Sequence, residues 1–254
     1  MTGTGINTGN STGFSLLEVL VAMMLSAVLI TGIMHLLAGS VSAYRLQLGQ
    51  SQLEESSRYA RDVLVSHISQ AGFQTAPWNS AQQMPALTIE AIDSISSRGD
   101  QLGLQRWSRR NCFGNDNPVT DSEGQPAFYL LQTRFGISTA NNLALSCRYG
   151  PDASQLHTQI NNFGLVEHVD SMQVLYAEDR NEDQVADTWV TGQAWQNEHD
   201  VRAIKVALLL STRQVLAEKL SRQITLLDAT ITTADDGHLR KVGSLTTAIQ
   251  GRLR

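Results

Sequence analysis

The stretch Gly-Phe-Ser-Leu-Leu-Glu, residues 13–18, decides the architecture of this chain, because an uninterrupted apolar run follows it. Residues 19–41 contain no Asp, Glu, Lys or Arg. About 20 such residues in a helix, at roughly 1.5 Å each, span the hydrocarbon core of a bilayer. Glu18 therefore lies where a membrane-spanning helix begins. A carboxylate there costs about 2.5 to 3.5 kcal/mol unless something neutralises it, so we predict a partner charge and a function for Glu18.

The segment from Gly13 to Met23, Gly-Phe-Ser-Leu-Leu-Glu-Val-Leu-Val-Ala-Met, resembles the class III signal of type IV pilins and pseudopilins. The resemblance implies that residues 1–13 are a leader, that a prepilin peptidase cuts after Gly13 and that Phe14 is then N-methylated. It also implies that Glu18 pairs with the N-terminal amine of a neighbouring subunit in the fibre. An α-amine freed on Phe14 is positive near neutral pH and attracts a carboxylate strongly in a low-dielectric setting.

An ordinary secretory signal or a plain membrane anchor is the alternative. A secretory signal has a basic start, an apolar core of about 7 to 15 residues and a cleavage site after that core. Here the cleavable sequence precedes the core, and the apolar run is longer. Residues 1–13 contain no Lys or Arg, whereas leaders of pilin-like proteins usually carry some. This departure weakens the topology argument from positive charge and leaves the cleavage motif unchanged.

The composition bounds the remaining possibilities. The chain has 254 residues and a net charge of −5, so the basic footprint of a nucleic-acid-binding protein is missing. About 180 residues remain after the leader and the whole N-terminal helix, enough for one domain with its own core. The two cysteines are Cys112 and Cys147. An exported domain lies in an oxidising compartment, so we predict a disulfide between them, with two buried free thiols as the alternative.

The apolar run continues into an amphipathic helix. Apolar-face residues recur at three- and four-residue steps: Leu53, Ala60, Val63, Leu64, His67, Ile68 and Ala71. Proline is absent before Pro77, and Gly72 ends the pattern. We predict one continuous helix from about Phe14 to about Ala71. Because His67 lies on the apolar face, we interpret it as a packing residue rather than a ligand.

After the helix, the sequence changes to short strands and polar loops. Runs rich in β-formers predict strands at 87–92, 127–132, 171–177 and 201–210. The remaining expectations are a loop at 111–124, a strand or helix at 216–229, a turn at Asp236-Gly237 and a last strand at 240–253. The apolar helix face needs a sheet to cover it. The fold class is therefore α+β: a type IV pilin-like fold with a long N-terminal helix packed on an antiparallel β-sheet domain.

These patterns divide the chain into four parts. The expected parts are a prepilin leader at 1–13, a transmembrane and fibre-core helix at 14–41, an amphipathic periplasmic half of the helix at 42–72 and a β-rich globular pilin domain at 73–254.

Three further segments resemble PilW-type minor pilins, in the order expected of that family. They are residues 57–73, residues 166–176 with 201–208, and residues 238–242 with 246–249. The resemblance implies a minor pilin that takes part in initiating assembly and lies at or near the pilus tip. Its location would be the inner membrane, as a single-pass protein with a periplasmic C-terminal domain. The implied partners are minor pilins of the FimU, PilV, PilX and PilE types, the major pilin, the prepilin peptidase, the inner-membrane assembly platform and, as a further candidate, a PilY-type tip adhesin.

One acidic segment is a candidate calcium site. Five oxygen donors take positions one, three, five, seven and nine of a calcium-type loop: Asp179, Asn181, Asp183, the Val185 carbonyl and Asp187. Gln184 and Val190 stand where that loop has glycine and glutamate. The alternative is a solvated acidic connection without a cation.

Enzyme signals are scarce. Residues 9–13 match a nucleophile-elbow pattern but lie in the leader, outside any strand-turn-helix context. The six histidines are scattered, without a His-Glu-x-x-His motif. We therefore predict an assembly protein and not an enzyme. The alternatives are a J-type pseudopilin of a type II secretion system and a membrane-anchored periplasmic enzyme, which would have a pocket with converging titratable groups. Trp189 and Trp195 are predicted core lids, with a partner-contact surface as the alternative.

Overall fold

The computed structural model describes residues 15–74, 84–94, 96–181, 183–216 and 219–250. Helix α1 covers Leu16–Ser69. Ten strands follow within the described residues: β1 Leu102–Ser108, β2 Tyr129–Ile137, β3 Leu143–Gly150, β4 His157–Val166, β5 Val169–Glu178, β6 Thr188–Val190, β7 Val201–Val215, β8 Gln223–Leu226, β9 Ala229–Thr232 and β10 His238–Ala248. A short 3₁₀ helix, Glu198–Asp200, precedes β7. The chain divides into two compact units, Met1–Leu48 and Gly49–Arg254.

The predicted continuous helix is confirmed over its described part, because α1 runs through the apolar and the amphipathic segments without a break. The helix is followed by Gly72 at φ 74°, a left-handed conformation that glycine adopts without strain. The Gly72 N–H donates to the Gln105 carbonyl at 2.8 Å, and the Trp107 N–H donates to the Phe73 carbonyl at 2.8 Å. The chain that leaves the helix is thereby held against β1.

The main core lies between α1 and two four-stranded sheets. Helix α1 contributes residues that are at most 3% exposed: Leu53, Ala60, Leu64 and Ile68. Their spacing confirms the predicted amphipathic face. Every buried member of this core lies between Leu53 and Ile249, so the second unit has a core of its own.

The first sheet has the antiparallel order β1-β2-β3-β4. The predicted strand at 127–132 overlaps only the start of β2. The sequence did not predict β1, β3 or β4. The structure does contain a loop between β1 and β2, as expected for residues 111–124.

The strand predicted at 87–92 is wrong. Leu87 forms an isolated bridge with Leu104, and Ile92 forms one with Gln101. Between these bridges the Ala91 N–H donates to the Thr88 carbonyl at 3.0 Å and closes a turn. The segment passes so close to β1 that a Cβ on Gly103 would stand 2.1 Å from Thr88 Oγ1. Leu87 and Ala91 are buried in the core, whereas Ile89 is exposed, and the segment does not pair as a continuous strand.

The second sheet has the order β10-β7-β5-β6 and is also antiparallel. The strands predicted at 171–177 and 201–210 are confirmed as β5 and β7, and they pair with each other. Strand β10 matches the predicted last strand as far as Ala248, while residues 251–254 lie outside the described part. The long connection between β5 and β7 contains the short edge strand β6.

Both faces of β7 are buried, which explains its continuous apolar run. One face belongs to the main core through Val206, Leu208 and Leu210. The opposite face packs on a smaller cluster with Leu226 through Ala207 and Leu209. That cluster lies under the hairpin β8–β9, which settles the ambiguity over 216–229 in favour of strands, with residues 217 and 218 outside the described part.

The two sheets are joined at Gly99 and Asp100. Gly99, at φ 81°, forms a parallel bridge with Met172, and the Asp100 N–H donates to the Met172 carbonyl at 2.8 Å. The Asp100 carboxylate, 2% exposed, accepts N–H bonds from Ser94 at 2.9 Å and from Val174 at 2.8 Å. Burial raises the pKa of Asp100 to about 6, and the two N–H donors oppose that rise. One side chain thus pins the connecting segment to β5.

Candidate assembly segment and surface sites

The described part of the first unit, residues 15–48, is an exposed apolar helix. Its large side chains include Leu16 at 81%, Leu36 at 74% and Val28 at 70% exposure. By length and composition, α1 can cross a membrane. Glu18 is the one carboxylate in residues 15–48. Exposed apolar surface of this extent requires lipid or other apolar helices to cover it.

Two hydroxyl groups of this segment, those of Ser26 and Thr31, are satisfied within the helix. Ser26 Oγ donates to the Ala22 carbonyl at 2.8 Å, and Thr31 Oγ1 donates to the Ala27 carbonyl at 2.8 Å. Such bonds matter in lipid, where an unsatisfied polar group is costly and water is not available. The segment therefore presents an apolar surface to its surroundings in spite of its polar residues.

Glu18 stands in the first turn of α1, and its N–H donates to the Ser15 carbonyl at 3.0 Å. The positive end of a helix dipole favours a carboxylate in this turn. Gly13 and Phe14 lie outside the described residues. Cleavage after Gly13 and pairing of Glu18 with an amine on Phe14 therefore stay predictions.

The structure joins Cys112 and Cys147 in a disulfide whose Cα atoms are 6.0 Å apart. The bridge ties the loop after β1 to β3, and Cys147 is 2% exposed. The Cys112 N–H also donates to Gln159 Oε1 on β4 at 3.0 Å. The loop is thus fastened to two neighbouring strands of the first sheet.

In the structure, the predicted side-chain calcium ligands of the acidic segment are bonded to protein groups. Asp179 is completely buried and pairs with Arg202, whose Nε lies 3.0 Å from Asp179 Oδ2. The same oxygen accepts the Gln184 N–H at 2.9 Å, and Asp187 Oδ2 accepts the Arg180 N–H at 2.7 Å. A protein cation, Arg202, thus neutralises the first predicted ligand.

The other predicted side-chain ligands, Asn181, Asp183 and Asp187, are bonded to one another. Asn181 Nδ2 donates to Asp183 at 3.2 Å and to Asp187 at 3.4 Å, and Asp183 Oδ1 accepts the Val185 N–H at 2.8 Å. Within the described ranges, no group of three or more His, Cys, Asp or Glu side chains could hold a metal ion. Gln184 takes φ 71° where a calcium-type loop has glycine, so the turn forms but closes on hydrogen bonds.

The two tryptophans predicted as core lids, Trp195 and Trp189, differ in the structure. Trp195 packs edge-on against buried Tyr176 at 5.0 Å between ring centroids, as expected of a core lid. Trp189 is 39% exposed, with the Lys205 ammonium 4.3 Å from its ring centroid, and it is not a core lid.

The ring of His67 packs edge-on against Phe135 at 5.1 Å, which confirms its interpretation as a packing residue. Burial, together with the charge of Arg106, lowers the pKa of His67 to about 4.

A groove of about 500 Å³ at the C-terminal end of α1 was not predicted from the sequence. It lies where the end of the helix meets β1 and the residue before β2. Its lining includes Gln70, Phe73, Arg106, Trp107, Arg110 and Phe128, and we call it the Arg106 groove. The signal in the sequence is the run Arg-Trp-Ser-Arg-Arg at 106–110, whose side chains gather here only because the helix end folds against β1.

Comparisons with known proteins give the following matches. The family model of PilW, Type IV Pilus-assembly protein W, matches residues 128–251. The prokaryotic N-terminal methylation motif matches residues 9–34. Among solved structures, a type IV-like pilin from Thermus thermophilus is similar to the chain, with 17% sequence identity and a TM-score of 0.48, over 81% of this chain and 98% of that chain. No curated protein matches the chain.

Proposed function

Because the chain belongs to the PilW family of type IV pilus-assembly proteins, we propose that it is a minor pilin that takes part in initiating assembly and lies at or near the pilus tip. Its apolar helix and methylation motif fit a membrane-anchored pilin. The family is a structural one, and the comparisons supply no positive evidence of catalysis. The comparisons support the role of a pilin. The tip position and the role in initiation are what we propose.

The observation that carries the proposal is an exposed apolar helix, residues 15–48, in a chain whose second unit has a core of its own. In the membrane, lipid covers this helix. In a fibre, the helices of neighbouring subunits cover it instead, with little change in the apolar character of its surroundings. The helix can exchange these two environments while the second unit stays folded.

Glu18 would determine which arrangement of neighbouring subunits is stable in the fibre. A carboxylate in an apolar setting needs a cation close to it, and the α-amine of processed Phe14 is the cation that the proposal assigns. Because the attraction is strong at low dielectric, only subunits in the correct register satisfy the carboxylate. Glu18 of one subunit would thus select the position of its neighbour in the fibre.

The proposal extends to domains, location and partners. Residues 1–13 would be the leader, 14–41 the membrane and fibre-core helix, 42–72 the amphipathic periplasmic half and 73–254 the globular domain. The protein would be an inner-membrane subunit with a periplasmic domain before assembly. As a pilin it would associate with other pilus components. The proposed partners are minor pilins of the FimU, PilV, PilX and PilE types, the major pilin and a PilY-type tip adhesin.

The first test is processing of the full chain. Co-expression with a prepilin peptidase should remove residues 1–13 and leave a methylated Phe14, as measured by intact-mass and N-terminal peptide mass spectrometry. Gly13→Ala should block the cleavage. A mature protein that begins at any residue other than Phe14 would contradict the assignment.

The second test is assembly. Glu18→Ala should still insert in the membrane, because loss of a charge lowers the insertion cost, but it should enter pili poorly. Glu123→Ala, which removes a carboxylate from an exposed loop, is the matched control. Pilus number and the amount of the subunit in sheared pili are the measurements. Normal values for Glu18→Ala would remove the assembly role of this carboxylate.

Deletion of the gene separates the proposal from the pseudopilin alternative. A minor pilin predicts loss of surface pili with normal protein secretion. A pseudopilin of a type II secretion system predicts loss of secretion with normal pili. Immunogold labelling of the second unit should mark pilus ends, and label spread evenly along the shaft would contradict the tip position.

A further inference from the structure

The Arg106 groove combines aromatic walls with a concentration of positive charge. The rings of Phe73 and Phe128 are neighbours, with centroids 6.2 Å apart and planes tilted by 39°. Arg109 lies over the Phe128 ring at 4.3 Å. Among the described residues, those that line the groove include three arginines and no carboxylate, in a chain whose net charge is −5. The side chains that line the groove are therefore positively charged, although the protein as a whole is negative.

The three arginines differ in their partners. Arg109 forms an ion pair with Asp121 at 2.8 Å, and Arg110 lies 3.8 Å from Asp116. Arg106 donates to the amide oxygen of Gln70, and in the described part of the chain it has no ion pair with a carboxylate. A neutral amide oxygen only partly compensates a guanidinium that is partly withdrawn from water.

The surroundings of Arg106 make this lack of a counter-charge costly. The side chain lies on β1, on the same side of the sheet as the buried Leu104, and it reaches the end of α1. Burial lowers the pKa of Arg106, so its charged form is less favourable here than in water. A carboxylate brought into the groove would supply a fork-shaped partner for the guanidinium and relieve this cost.

We propose that the Arg106 groove is a docking site for an acidic peptide segment of another protein, in which an Asp or Glu side chain stands next to an aromatic or large aliphatic side chain. The carboxylate pairs with Arg106, and the apolar side chain packs against Phe73 and Phe128. Charge complementarity selects this occupant, because an uncharged apolar segment would leave Arg106 without a counter-charge. Trp107 and Arg110 also line the groove. The inference does not depend on the proposed role in pilus assembly.

The experiment uses the full chain in detergent micelles and an array of synthetic peptides. Each peptide has two adjacent variable residues at the centre of a neutral Gly-Ser sequence, and the array covers every pair of natural amino acids. Binding should concentrate on pairs that join Asp or Glu to Phe, Tyr, Trp or Leu. The strongest peptide is then measured in solution by fluorescence anisotropy. Its amide version, with Gln for Glu or Asn for Asp, should bind at least about tenfold more weakly, the factor expected for one charged hydrogen bond.

Arg106→Gln is the decisive variant. It should reduce binding by a similar factor, whereas Arg213→Gln, a change of an exposed arginine on β7, should leave binding unchanged. The indole NMR signal of Trp107 should shift on titration, while those of Trp189 and Trp195 stay in place. If Arg106→Gln proves misfolded by circular dichroism, Arg106→Lys keeps the charge without the fork and should bind with intermediate affinity.

Three results would overturn the inference. The first is binding that does not depend on the acidic residue of the peptide. The second is binding that Arg106→Gln retains. The third is an Arg106-dependent dimer of the protein that excludes the peptide, which would make a second copy of the chain the occupant of the groove.

Discussion

Removal of the disulfide between Cys112 and Cys147 tests how the loop after β1 is held in place. The bridge closes a loop with a sequence separation of 35 residues. In the chain-entropy description, a loop of this length restricts the unfolded chain by about 4 kcal/mol at 25 °C. The double variant Cys112→Ala/Cys147→Ala should therefore lose about 3 to 4 kcal/mol of unfolding free energy. For a unit of this size, that loss lowers Tm by roughly 6 to 16 °C.

The assay is guanidinium unfolding, followed by circular dichroism, of a fragment that begins at Gly49 and so contains the whole main core. The slope of the free energy with denaturant should rise in the variant, because its unfolded chain exposes more surface. A reducing agent should destabilise the wild type and leave the variant unchanged. A loss below about 1 kcal/mol at zero denaturant would refute the reasoning and would mean that the unfolded chain gains little freedom without the bridge.

The remaining predictions concern pH, backbone geometry and calcium. Burial lowers the pKa of His67 from 6.5 to about 4, so the imidazole binds a proton more tightly in the unfolded state than in the folded state. The stability present above pH 6.5 is therefore lost as the pH falls towards 4. Between pH 7 and pH 4.5, His67→Phe should lose on the order of 2 kcal/mol less unfolding free energy than the control His157→Gln, as measured by urea titrations. An equal loss in both variants would contradict this. Gly99→Ala should cost at least about 2 kcal/mol, since its Cβ would stand 1.9 Å from the Met172 carbonyl oxygen, and a Tm within 2 °C of the wild type by calorimetry would refute it. Calcium should leave the melting curve unmoved, because arginine and N–H donors occupy the carboxylates of Asp179, Asp183 and Asp187; a Tm that rises with calcium concentration would restore the cation site.

The parts of the fold that the sequence predicted are those with long, strong periodicity. Helix α1 and strands β5 and β7 each have an apolar pattern without a break in their own sequence, so they can be predicted without knowledge of the elements that pack on them. Strand β4 was missed because most of its residues are exposed at a sheet edge, so Thr, Gln and Asn replace the apolar alternation. Segment 87–92 has residues suited to a strand, but it turns between Thr88 and Ala91 and forms only isolated bridges, at Leu87 and Ile92.

Three features can be read from the sequence alone, because they depend on residues adjacent in the chain: the apolar run, the methylation motif and the position of Glu18. Tertiary structure decided which cation meets each buried carboxylate and which side chains share a groove. Asp179 has a calcium-like spacing, yet Arg202 from the start of β7 neutralises it. The Arg106 groove combines side chains from the end of α1, from β1 and from the residue before β2. Contacts of this kind depend on how distant segments pack, and a local pattern carries no record of a partner that folding brings from elsewhere in the chain.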